Sequence, residues 1–151
     1  MTFLNATVAD RVRAVIAAAL PTVTVFAGPI EPGPEAPLEW VLVDHEPSTW
    51  TWPTMRAGTR PLATTIGLRV DIETIQLGKT ATVTQARWFE LASAVMTALR
   101  SDPTLQSTGQ ISSVLGLMPE GQIRAVSTAA VGDGTGWSVR GELTIQIQTR
   151  T

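Results

Sequence analysis

Few places in this chain bring together side chains able to do chemistry. His45 is the only histidine, and it stands between Asp44 and Glu46. A trio of that kind suggests metal ligation or acid–base work. Neighbours on an extended segment point to opposite sides, however, so only Asp44 and Glu46 can share one. No second histidine exists to complete a common metal site. A serine or threonine nucleophile would have this one imidazole as its base. The trio reads as the charged end of a strand. Gly78-Lys79-Thr80 has the ending of a phosphate-binding loop, but that pattern needs a glycine five positions earlier. Glu73 stands there, and a carboxylate repels phosphate. Gly132-Asp133-Gly134-Thr135-Gly136 is rich in glycine but is followed by a strand pattern. It offers no helix N-terminus to a pyrophosphate and reads as a hairpin. No spacing singles out a carboxylate pair. The expectation is no catalytic residue, no metal ligand and no cofactor.

The tryptophans carry more information. There are five in a chain with 5% aromatic residues and no tyrosine. Trp88 and Trp137 fall on apolar stripes and read as core. Trp50 and Trp52 fall in an irregular segment, on one side of an extended stretch, with Met55, Arg56 and Arg60 after them. Trp and Arg anchor protein interfaces, and Met adapts to irregular surfaces. These five residues either fold back over the subunit's own core or meet a neighbour. The length of their loop favours the neighbour, so they are the candidate subunit or ring interface.

The elements that must position these residues are legible from periodicity. Val8, Val12, Val15, Ile16 and Ala19 make one face of a helix, with Thr7 as N-cap and Pro21 as its stop. Residues 22–26 alternate as a strand. Residues 28–37 hold four of the ten prolines and two glycines, so they form a loop. A second strand, 38–46, has Leu38, Trp40 and Leu42 on one face and Glu39, Val41 and Val43 on the other, which predicts cover on both sides. A long loop spans 47–61. The strand 64–76 puts Ile66, Leu68, Val70 and Ile72 inward, with Arg69, Asp71 and Glu73 on a wet or partner-facing side. A helix follows, with Thr82 and Gln85 as a capping box and Trp88, Leu91, Ala92, Val95, Met96 and Leu99 as its stripe, stopped at Ser101-Asp102-Pro103. Residues 111–118 are a strand or a lead-in to one, and residues 121–131 form a strand. The last strand, 137–148, points Trp137, Val139, Leu143, Ile145 and Ile147 inward. The order is α-β-β-β-α-β-β, an α+β domain whose mainly antiparallel sheet carries two helices on one face. One domain covers residues 1–151.

Composition narrows the function. The chain has 151 residues, is 44% hydrophobic and has no cysteine. Disulfides, thiolate nucleophiles and sulfur-ligated zinc are excluded. Residues 12–20, apolar but for Arg13 and preceded by Arg11, have the ingredients of a signal peptide, but Asp10 and the helical stripe speak against export, and the cytoplasm is favoured. No run approaches the roughly 20 apolar residues of a membrane helix. A formal net charge of −2 without a basic stripe is not that of a dedicated nucleic-acid binder.

Arrangement across nearly the whole chain resembles the tail terminator, or tail completion, family of long-tailed bacteriophages. The resemblance lies in the opening helix ending at Leu20-Pro21, the Val23-Thr24-Val25 strand and the Trp40-Val41-Leu42-Val43 strand. The long loop, the strand 66–72, the helix 86–99 ending in Arg100-Ser101-Asp102-Pro103, and the terminal strands complete it. It implies a homo-oligomeric ring, usually of six subunits, at the head-proximal end of the tail in the virion, assembled in the host cytoplasm. Such a ring stops tube growth, meets the tail tube protein and offers the surface that docks to the head–tail connector or neck protein. Genomic DNA passes through its lumen without tight specific binding. Other neck and tail-completion proteins share this pattern. A small-ligand module with a cavity lined by Trp40 and Trp137, and a hydrolase built on His45 or a carboxylate pair, are the readings from other classes.

Overall fold

Helix α1 spans Thr2–Ala19 and helix α2 spans Ala81–Ser101. The strands are β1 (Thr24–Ala27), β2 (Glu39–His45), β3 (Ala63–Leu77), β4 (Val114–Met118), β5 (Ile123–Val131) and β6 (Gly136–Arg150). The computed structural model describes residues 2–27, 37–45, 63–103, 105, 114–118, 123–132 and 134–150. The fold is α+β, with the expected succession of elements and one strand more after α2 than that succession counts, since residues 114–118 do pair.

The six strands make one sheet in the order β1-β2-β3-β6-β4, with β5 also on β6. Only β1 and β2 are parallel among the described pairs; the others are antiparallel. β3 and β6 pair along their whole lengths, from Ala63 with Arg150 to Leu77 with Gly136. β4 and β5 lie end to end against the other edge of β6. Met118 faces Gln146 and Ile123 faces Leu143, so five steps of chain oppose three. Two further shifts, between Val114 and Gly116 and between Arg124 and Ser127, leave this edge bulged. Ala125 takes a positive φ of 53° in the second, as bulges that bend an edge away from further pairing often require.

Both helices pack on one face. Val8, Val12, Val15 and Ile16 of α1 and Trp88, Leu91, Ala92, Val95 and Leu99 of α2 join Val41 and Val43, Leu68, Val70 and Ile72, and Val139, Leu143, Ile145 and Ile147 in one core. The expected contact between the β3 alternation and the α2 stripe is present, although the Ile66 side chain lies outside the described residues. β2 is covered on both sides, as its pattern predicted: Trp40 and Leu42 are buried on the face away from the helices.

Several expectations are corrected. α1 begins at Thr2, so Thr7 is inside the helix and does not cap it. Nothing between Thr2 and Thr7 breaks a helix, and extending one is cheap once it is nucleated. Ala19 is exposed. The cap of α2 is Thr80, with an extended backbone and a hydroxyl 3.2 Å from the Val83 amide that donates to it. Gly78, at φ 69°, turns the chain out of β3 early enough for that. Gln85, assigned to a capping box with Thr82, instead donates to Thr128 of β5 at 3.0 Å. Trp137 is half-buried and outside the main core because it stands at the end of β6, opposite Gln76.

Candidate assembly interface

The groups that suggested chemistry are dispersed. Asp44 is ion-paired with Arg69 across β2 and β3 at 3.4 Å. His45 belongs to β2, opposite Leu68, and its side chain, like all of Glu46, lies outside the described residues. Gly78-Lys79-Thr80 is a strand-to-helix turn in which the Gly78 amide donates to the Thr135 carbonyl at 2.7 Å. Gly132 and Gly134 take positive φ at the β5–β6 hairpin, where the Gly134 amide donates to the Val131 carbonyl at 2.9 Å. Among the described residues no group of three His, Cys, Asp or Glu is placed to hold a metal ion. No helix there is long and apolar enough to cross a membrane. Trp50, Trp52, Met55, Arg56 and Arg60 lie outside the described residues.

Two surfaces remain, one on each side of the sheet. The first is the face without helices. Cross-strand register sets Trp40, Glu73, Arg140 and Ser127 in one row and Leu42, Asp71, Glu142 and Arg124 in the next. The Arg140 guanidinium lies 5.3 Å from the centre of the Trp40 ring, close enough for a cation–π contact. Asp71 is expected on a wet or partner-facing side, and in the single chain it is only 3% exposed. Arg69 approaches it at 3.5 Å, yet Asp71 Oδ1 and Arg69 Nε have no hydrogen-bond partner. Burial pushes the Asp71 carboxyl above its usual range, and the Glu142 charge beside it adds to this against the opposing pull of Arg69. Towards the α2 end the same face turns apolar. Leu38 and Leu77 are about half exposed there, with Ile75 partly so.

The second surface lies on the helix side. Phe89, Met96 and Arg100 of α2, with Ile123 of β5 and Leu143 of β6, line an open groove of about 300 Å³. Phe89 and Ile123 are about half exposed, and Val126 stands nearby in the bulged strand. Phe89 is fixed edge-on to Trp88, their centroids 5.1 Å apart.

Two anchors hold α2 in position between these surfaces. Arg87 donates to both carboxylate oxygens of Glu39, at 2.7 and 2.9 Å. Those bonds hold the Glu39 carboxyl below its usual range against the effect of burial, and they raise Arg87. Trp88, fully buried, donates its indole N–H to the Ile72 carbonyl at 2.9 Å. Its ring lies on Gly141, where a Cβ would come within about 3.0 Å of ring atoms. Sequence reading missed both anchors. The signal for the second was present in β6, where the inward series skips one position and glycine occupies it. Trp40 and Trp137 lie on opposite faces by strand parity, so no single cavity can be lined by both.

No family model and no curated protein matches the chain. A chain from the virion of a native gene transfer agent particle is similar in structure, with a TM-score of 0.45 and 16% identity, over 97% of this chain and 92% of that one. A likeness so loose bears on neither function nor assembly.

Proposed function

We propose that this chain is a structural virion protein that assembles into a ring of about six copies at the head-proximal end of a phage tail tube. There it stops tube growth and receives the head–tail connector. The number of copies and the position come from the arrangement of elements that resembles tail terminators. The observation carrying the non-enzymatic, assembling character is the pair of exposed apolar surfaces on opposite sides of one small domain. Monomers seldom leave such surfaces uncovered. Another neck or tail-completion protein would present the same surfaces, and its ring would occupy an adjoining position.

A small-ligand module is disfavoured, because Trp40 and Trp137 do not share a face. The segment with Trp50, Trp52, Met55, Arg56 and Arg60 remains the proposed contact to an adjacent subunit or ring. A net charge of −2 suits a lumen through which DNA slides without being held. Light scattering and negative-stain electron microscopy of the purified protein test the proposal. Closed rings, alone or on concentration, support it; a protein monomeric at every concentration refutes it. The Trp50→Ala/Trp52→Ala variant should remain folded and lose ring formation or tail completion.

A further inference from the structure

We infer that the two exposed surfaces are the two halves of one head-to-tail contact between copies of this chain: the Leu77–Ile75–Glu73 row of β3 in one copy seats in the Phe89–Met96–Arg100 groove of the next. This rests on the ring reading and specifies its interface.

Three observations lead there. First, the halves are on opposite sides of the sheet. Leu77, Ile75 and Glu73 alternate with the buried Ile72 and Thr74 and so face away from the helices, whereas the groove runs along α2. A copy cannot satisfy its own groove with its own row. A contact between two different patches is heterologous, and its repetition closes a ring when the rotation allows.

Second, the chemistry matches from end to end. The row runs from the half-exposed Leu77 through Ile75 to a carboxylate. The groove runs from the half-exposed Phe89 through Met96 to a guanidinium. Arg140 stands opposite Glu73 but lies over Trp40; among the described residues no cation is within ion-pair distance of Glu73, which accepts only a long bond from Ser138 at 3.4 Å, and no carboxylate is within that distance of Arg100.

Third, the spacing matches. The four steps along the strand from Leu77 to Glu73 cover about 13 Å at roughly 3.3 Å per step. The eleven steps along the helix from Phe89 to Arg100 cover about 16 Å at about 1.5 Å per step. Eleven residues are also close to three whole turns, which keeps both side chains on one side of α2. With Leu77 on Phe89, the reach of an arginine side chain spans the remaining 3 Å or so to Glu73. Desolvating that ion pair would fix the register of the contact.

The absence of cysteine gives a direct test. A disulfide needs Cα atoms about 4.4–6.8 Å apart, which positions 77 and 89 of one copy cannot reach from opposite sides of the sheet. Leu77→Cys and Phe89→Cys proteins, checked for folding by circular dichroism, are oxidised separately, mixed, and combined in one chain. The mixture should give cross-linked dimers, the double variant a ladder up to the ring, and each single variant neither. As an independent arm, Glu73→Arg and Arg100→Glu should each weaken assembly at least tenfold, and the two changes together should restore it. Rings of the unaltered protein without 77–89 cross-links or charge-swap rescue would overturn this contact and leave the ring standing. Dimers from Leu77→Cys alone would overturn it in favour of a two-fold contact. An unaltered protein that never assembles would overturn the ring reading and this contact with it.

Discussion

Gly141→Ala is the substitution most sharply defined by the structure. The new methyl would lie within about 3.0 Å of two Trp88 ring atoms and closer still to a third. Neither side can easily give way, since Gly141 is paired with Ile72 of β3, its neighbours Arg140 and Glu142 are paired with β5, and the Trp88 ring is fully buried. Overpacking of this kind costs about 1–3 kcal/mol. Moving the indole also stretches its bond to the Ile72 carbonyl, and leaving a buried donor unpaired costs about 1–3 kcal/mol more. Replacing a strand glycine by alanine returns about 0.5–1 kcal/mol of backbone entropy. The balance is a loss of about 3 kcal/mol, or roughly 6–12 °C in Tm for a domain of this size. Urea denaturation followed by tryptophan fluorescence measures it. Trp88→Ala should itself cost about 3–5 kcal/mol, but in its background Gly141→Ala should cost almost nothing, because the ring it strikes is gone. A Gly141→Ala protein as stable as the parent, or additive losses in the double variant, would refute the packing argument.

Asp71→Asn should raise stability at neutral pH. The folded-state carboxyl is held above its unfolded value, so its contribution is complete below the unfolded pKa and is lost as pH rises through the folded one. The gain from Asn should therefore fade towards acid pH, and denaturation curves across that range would show a destabilised Asn variant at pH 7 if the reasoning is wrong. Glu39→Gln acts in the opposite sense. Its carboxyl is held low by Arg87, so its contribution is present above the unfolded pKa and lost as pH falls through the folded one. The substitution should cost about 1–2 kcal/mol at pH 7 and progressively less in acid, as read by denaturation at matched ionic strength. Thr80→Ala should cost about 1 kcal/mol through loss of the α2 cap, while Thr82→Ala should be near neutral; equal effects in thermal melts would contradict the cap assignment.

What the sequence made legible was whatever periodicity controls. The α2 stripe and the β3 alternation meet because each is amphipathic over many residues. β2 announced its two-sided burial by having no polar face. Periodicity carries no information about neighbours distant in sequence, and the failures follow from that. Asp71 alternates like a solvent-facing residue, and its burial shows only in the assembled structure, where Leu42 and Glu142 flank it. Gln85 sits correctly for a capping box, but Gly78 had already set the helix start at Thr80. Glu39 and Arg87 are 48 residues apart, and nothing local pairs them. The groove on α2 was hidden for a related reason: Phe89 lies beside the stripe, and Ile123 approaches it only through the sheet.

Among the described elements β6 comes last in sequence and pairs with more strands than any other. β3 borders it on one side and β4 and β5 on the other, and neither β4 nor β5 pairs with another described strand. During synthesis every preceding element emerges before the strand that joins them. Until then β3 has only β2 beside residues 68–74, and the core lacks Val139, Leu143, Ile145 and Ile147. Closing pairs such as Ala63 with Arg150 are long-range, which slows folding and leaves unpaired edges exposed meanwhile. The sheet and the core are therefore completed in one step, when β6 takes its place beside β3, β4 and β5.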